Sequence, residues 1–196
     1  MKKSWIIIGI VIIFIIICYA SIKSTYNNMV RLDESVSESW GQVQNVYQRR
    51  LDLIPNLVNT VKGYATHEKS TLQAVVEARA KATGINIDPS KLDANSLQKF
   101  QQAQGALSSA LARLMVVVEK YPDLKANQNF LELQAQLEGT ENRIAVERKK
   151  FNEAAKNYNT YTRSFPANIF AAMFNFTRKA YFEAEQTANK APEVKF

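Results

Sequence analysis

Hydrophobic positions along this chain fall into one unbroken run and then a series of periodic seams. The run, WIIIGIVIIFIIICYASI, spans Trp5 to Ile22, with Lys2 and Lys3 before it and Lys23 after it. Its 18 residues would rise about 27 Å as a helix, close to the roughly 30 Å hydrocarbon core of a bilayer. A first long helix is predicted from this run through Val36, Trp40, Val43 and Tyr47 to about Ala82, kinked near 51–55 by Pro55. GINIDPSK, Gly84 to Lys91, reads as a linker. Leu97, Phe100, Gln104, Leu107, Leu111, Leu114, Val118 and Tyr121 then recur in steps of three and four, predicting a helix over about 94–120. Phe130, Leu137, Ile144, Phe151, Tyr158 and Phe165 recur every seven residues. Leu133, Thr140, Glu147, Ala154 and Tyr161 hold the companion position, predicting a helix over about 126–164 that packs near +20° on its neighbours. A shorter helix is expected from Ala167 to about Glu185. The pattern predicts an all-α protein: a transmembrane helix continuing into an antiparallel up-and-down bundle of about four helices. The divisions are 1–22 for the anchor, 23–186 for the bundle and 187–196 for a tail.

The apolar run reads as an uncleaved anchor rather than a secretory signal. It exceeds the usual 7–15-residue apolar region, and its best cleavage site, Cys18-Tyr19-Ala20, lacks the small-residue pattern. A lipoprotein site would want a small residue before Cys18, where Ile17 stands. Lys2, Lys3 and the α-amino group precede the anchor, and Lys23 and Arg31 follow it within about 20 residues. By one charge, the positive-inside rule places the N-terminus in the cytoplasm and the domain outside a cell membrane crossed once.

Removing the anchor removes only two of the 25 basic residues and none of the 18 acidic ones, so the domain stays mildly basic. Such a domain is drawn to anionic lipid, most effectively from the cytoplasmic side, which opposes the first orientation reading. Acids and bases interleave, as in ENRIAVERKK, and no nucleic-acid motif is present, so no nucleic-acid partner is expected. Cys18, the single cysteine, lies within the apolar run, so no intramolecular disulfide can form.

Projected as one helix, residues 52–76 place Ile54, Val58, Val61, Ala65, Leu72 and Val76 on one face, widened by Leu53, Leu57 and Tyr64. Asp52, Asn56, Asn59, Gly63, His67 and Ser70 form the opposite stripe. Short amides and a glycine admit another backbone closely, whereas Lys and Glu dominate a merely solvated face. Asp52, Asn56, Asn59, Gly63 and His67, with Arg49 beside them, are therefore the candidate partner-contact surface. Arg50, Glu68 and Arg79 project toward the apolar face, and Glu147 holds a core-type position. Buried charges are paired, so Arg50 and Glu147 are expected to form a buried ion pair that sets bundle register. Phe170, Phe174 and Phe176 belong to a C-terminal aromatic segment that either lids the bundle or enters the lipid interface.

No catalytic constellation emerges. His67-Glu68 is followed by Lys69-Ser70-Thr71 rather than completing H-E-x-x-H, and the chain has a single histidine. Position 64 is Tyr, so the Glu-x-x-His of di-metal bundles is missing too. No enzyme activity, metal or cofactor is expected.

RRLDLIPNLVNTVKGYATHE (Arg49 to Glu68), followed by Glu77-Ala78-Arg79-Ala80, closely resembles the LemA family. NNMVRLDESVSESWGQVQNVY, YPDLKANQNFLELQAQLEGTENRIAVERKKFNEAAKNYN and the terminal Val194-Lys195-Phe196 fit as well, so the resemblance covers nearly the whole chain. The resemblance implies a bacterial-type membrane protein with one anchor, a helical bundle and no established enzyme activity. It also implies a scaffold role beside another envelope protein such as a membrane protease system, and a domain drawn on the cytoplasmic side. Three readings follow: a scaffold with a protein partner, a lipid-binding or membrane-remodelling module, and a sensor holding a peptide or small ligand between helices. Beyond the lipid around its anchor, a homo-oligomer is a further possible partner.

Overall fold

The computed structural model describes residues 2–89 and 92–183, with side chains from residue 5 onward. It contains helices α1 (Lys2–Tyr64), α2 (Lys69–Thr83), α3 (Ala94–Val118), α4 (Pro122–Lys125), α5 (Gln128–Arg163) and α6 (Ala167–Met173), and no strand among the described residues. The protein is all-α. One helix, at its N-terminal end, is long and apolar enough to cross a membrane, and the apolar window of that helix is wholly unburied. The expected tail at 187–196 lies outside the described residues.

α1 is the strut of the molecule. Its 63 residues pass from the apolar run to the far end of the bundle, about 60 Å beyond Ile22 along the helix. α2 runs back toward the anchor, α3 away from it and α5 back along the full length of the domain. Asp93 caps α3 by accepting from the Ser96 N–H at 2.7 Å, and that bond holds its carboxyl below the ordinary range. Asn127 caps α5 by accepting from the Phe130 N–H at 3.0 Å. α5 lies antiparallel to α1 in strict step. Tyr64 Oη accepts from Asn127, Arg50 meets Glu141 and Trp40 meets Phe151. The core divides along this axis. Distally, Ile54, Leu57 and Val61 pack with Val75, Leu107, Leu114 and Phe130. Nearer the membrane, Val36, Trp40, Val43 and Tyr47 pack with Phe100, Ile144, Phe151 and Tyr158.

The expected single helix to Ala82 is in fact two. α1 stops at Tyr64, Ala65–Glu68 form a turn in which the Glu68 N–H donates to Ala65 O, and α2 restarts at Lys69. The restart changes which face is inward. Val75 is fully buried, whereas Val76, expected in the core, is half exposed. Pro55 does not end α1. A proline leaves the carbonyl four residues back without its helical donor, and here that carbonyl belongs to Leu51. Arg79 of α2 supplies the missing bond, its Nε donating to Leu51 O at 2.9 Å.

The charged core residue is Arg50, but its partner is not Glu147. Arg50 is 1% exposed. It donates to Glu141 Oε1 at 2.5 Å, to Ser108 Oγ at 3.0 Å and to the Gln104 side-chain oxygen, and it lies over the Tyr47 ring. Burial pushes the Tyr47 phenol up, against the lowering effect of Arg148 and Arg50. By the α1–α5 register, Glu147 stands level with Gln44 rather than Arg50. Its carboxylate pairs locally with Lys150 at 2.8 Å.

The C-terminal helix is also shorter than expected. α6 ends at Met173, Asn175 takes φ of 60°, and the chain to Glu183 runs non-helically as a strap. The strap lies beside α1 and α5 and borders the start of α3, where Gln101 donates to Glu183 O at 3.2 Å. Two asparagines of α5 hold its backbone. Asn159 bonds the Lys179 N–H and C=O at 2.9 and 2.8 Å. Asn152 does the same to Phe182 at 2.8 and 3.0 Å. Seven helical residues and three extended ones both span about 10 Å, so the two repeats match. Phe182 then packs on Trp40 and Phe151, and Lys179 pairs with Asp33 at 2.6 Å. Burial, with Asp33 nearby, raises the Tyr158 phenol to about 12.

Two stability series check these contacts in the detergent-solubilised chain. Glu141→Ala should cost about 2 kcal/mol, because it leaves the buried Arg50 cation short of its carboxylate. Glu147→Ala should stay within about 0.5 kcal/mol. Equal losses would contradict the assigned pairing. Arg79→Met should cost about 1.5 kcal/mol alone and clearly less with Pro55→Ala, which restores a donor to Leu51 O. Strict additivity in that double-mutant cycle would refute the repair.

Candidate docking surface

Helical spacing along α1 sets Arg49, Asp52, Asn56, Asn59 and Gly63 on one exposed stripe. Ile54, Leu57 and Val61 on the same turns are fully buried, so the helix is held by its apolar side and presents the polar one. His67 is exposed too, but it belongs to the turn after α1 and extends the stripe only loosely. Asp52 accepts from Gln48 at 2.7 Å. A Cβ added at Gly63 would meet nothing within 4 Å, so among the described residues no element uses the close approach that glycine permits.

Asn56 and Asn59 do not stand alone. With Thr60 they form one wall of a shallow groove of about 350 Å³ whose other wall is Asn129, Glu132, Leu133 and Gln136 of α5. Arg49 and Asp52 lie along α1 on the membrane side of this groove, and Gly63 and His67 on its distal side. Sequence reasoning missed the α5 wall. Its signal was the polar spacing of Asn129, Glu132 and Gln136 on one helical face, beside the apolar repeat that drew the eye. Carboxamides donate and accept, so such a groove can bond a partner's backbone or side chains without desolvating many charges. Glu132 is the single ionisable group among the residues named as its lining. Among the described residues there is no group of three or more His, Cys, Asp or Glu placed to hold a metal ion.

The aromatic segment is divided by the structure. Phe170 and Phe176 are half-buried, and Phe174 and Phe176 meet Tyr26 of α1 edge-on at 5.0 and 5.7 Å. Phe174 remains 42% exposed. Phe165, expected to continue the α5 seam, is instead 82% exposed, because α5 ends at Arg163 before the repeat reaches it.

Known proteins share this chain's sequence across most of its length. Magnetosome protein MamQ 2 of Paramagnetospirillum magneticum is 26% identical over 194 residues, covering 89% of this chain and 70% of that protein. Magnetosome protein MamQ of Magnetospirillum gryphiswaldense is 27% identical over 190 residues, covering 86% and 68%. Protein LemA of Metamycoplasma hominis is 24% identical over 161 residues, covering 82% and 69%. The family model described as the LemA family matches residues 39–196, from just before Trp40 through the groove and the strap. A match over that much of its length makes this chain a member of the LemA family.

Proposed function

We propose that this chain is a non-catalytic scaffold, anchored once in a cell membrane, whose carboxamide groove docks another envelope protein such as a membrane protease assembly. The observation that carries the reading is the groove itself: an exposed, amide-lined channel between α1 and α5 on the distal half of the bundle. It stands several tens of ångströms from the bilayer, within reach of a partner's extramembrane domain rather than its transmembrane helices. The groove's chemistry suits a polypeptide, whose backbone offers the donors and acceptors that carboxamides satisfy. The names of the relatives, a magnetosome protein and LemA itself, state no reaction and accord with a non-catalytic role. On the charge margin about the anchor, the domain is assigned to the outside of the cell membrane.

Two experiments test this. A photo-crosslinking residue at Asn59 or Gly63 should yield a discrete adduct in cells, while one at the exposed Lys149 should not. Equal or absent adducts at all three positions would sink the docking surface. For sidedness, Lys149→Cys in a Cys18→Ala chain should react with a membrane-impermeant thiol reagent in intact cells. Reaction only after lysis would move the domain, and the search for its partner, to the cytoplasm.

A further inference from the structure

The membrane-proximal end of the bundle carries a patch that the docking role does not use. Phe165, Ile169, Met173 and Phe174 are 82%, 52%, 67% and 42% exposed. All four sit on α6 or immediately beside it. Below them, Ala167 and Ala171 are buried, and Thr25 and Met29 are the first residues of α1 to be covered. Thus α6 packs by Ala167, Ala171 and the half-buried Phe170, and points Ile169 and Met173 away from the protein. Clustered exposed side chains of this size mark a contact rather than an ordinary surface.

The anchor fixes how far this patch stands from lipid. Tyr26 touches Phe174 with ring centroids 5.0 Å apart. Tyr26 lies four residues beyond Ile22 on an unbroken helix, about 6 Å along its axis. The headgroup layer extends about 5–7 Å beyond the hydrocarbon on each side. Phe174 therefore lies at headgroup depth for as long as the apolar run spans the bilayer. The local charge agrees. Residues 20–32 and 154–178 contain no Asp or Glu, and they supply Lys23, Arg31 and Arg163 at this end of the molecule. Apolar side chains tipped into the interface, with basic residues around them, are the chemistry of an interfacial contact with anionic lipid.

We propose that α6 and its flanking turns form a lipid-embedded collar: Phe165, Ile169, Met173 and Phe174 insert into the interface of the same membrane that holds the anchor. The half-buried Phe170 and Phe176 serve instead to seat the collar on the protein. The bundle is then attached to the bilayer at two places, the helix through it and the collar upon it. The inference is independent of whatever occupies the distal groove.

Nitroxide labels at Phe165→Cys and Met173→Cys test the collar. Each is placed in the full-length Cys18→Ala chain, reconstituted in phosphatidylcholine–phosphatidylglycerol bilayers. The substituted positions are exposed, so folding should be retained, and Lys149→Cys on α5 serves as the aqueous reference. The ratio of oxygen to nickel-chelate accessibility should be severalfold higher at positions 165 and 173 than at 149. A ratio at both positions equal to that at 149 overturns the proposal. So does shielding from both probes with spin–spin broadening between labels, which would make the patch a contact with a second copy.

Discussion

One guanidinium holds three helices to a single register. Arg50 reaches from α1 to Gln104 and Ser108 of α3 and to Glu141 of α5, in a layer where the neighbouring core positions are apolar. A cation in such a place is tolerated only when most of its donors are met; here both Nη groups are bonded and the buried Nε has no partner. Sliding α3 or α5 by one turn would leave those donors facing hydrocarbon. The apolar seams alone would accept several registers, since a seven-residue repeat looks alike at every turn. The polar layer chooses among them, and the facing pairs along α1 and α5 follow from that choice. So do the positions of the groove walls, one contributed by each helix.

Much of this architecture was legible in the chain. The apolar N-terminal helix, the helices over about 94–120 and 126–164 and the inward placement of Arg50 all follow from periodicity and burial cost. Gln104 is the one polar member of the α3 seam, and its reason lies on another helix, in the Arg50 guanidinium that donates to its side-chain oxygen. The break after Tyr64 was not legible. Ala65 and Leu72 are seven residues apart, as they would be on an uninterrupted helix, so the pattern crosses the turn without a change of phase. Pro55 predicts a kink near 51–55, whereas the compensation for it lies in α2, where Arg79 donates to the Leu51 carbonyl.

The strap was hidden for a different reason. A segment held through its backbone leaves little trace in its own side chains, and the asparagines that grip it read as ordinary polar positions on α5. Likewise, Phe165 fits the seven-residue repeat perfectly well, and only the end of α5 at Arg163 puts it outside. The exposed stripe Arg49, Asp52, Asn56, Asn59 and Gly63 was readable because it lies on a single helix, which His67 does not share. The groove it borders was not, because a groove needs two helices and a single sequence does not state which ones will be neighbours.

The continuity of α1 has a mechanical meaning. A protein whose anchor and domain are joined by a flexible linker feels little of what happens within the bilayer. Here the transmembrane span and the strut are the same rigid rod, about 60 Å of it outside the hydrocarbon. Transmembrane helices tilt as bilayer thickness changes. A tilt of about 10° at the base would sweep the far end through roughly 10 Å. Such a rod is a lever, with its fulcrum at the membrane surface and its amplified stroke at the distal loops, so that a change in lipid thickness becomes a displacement of those loops.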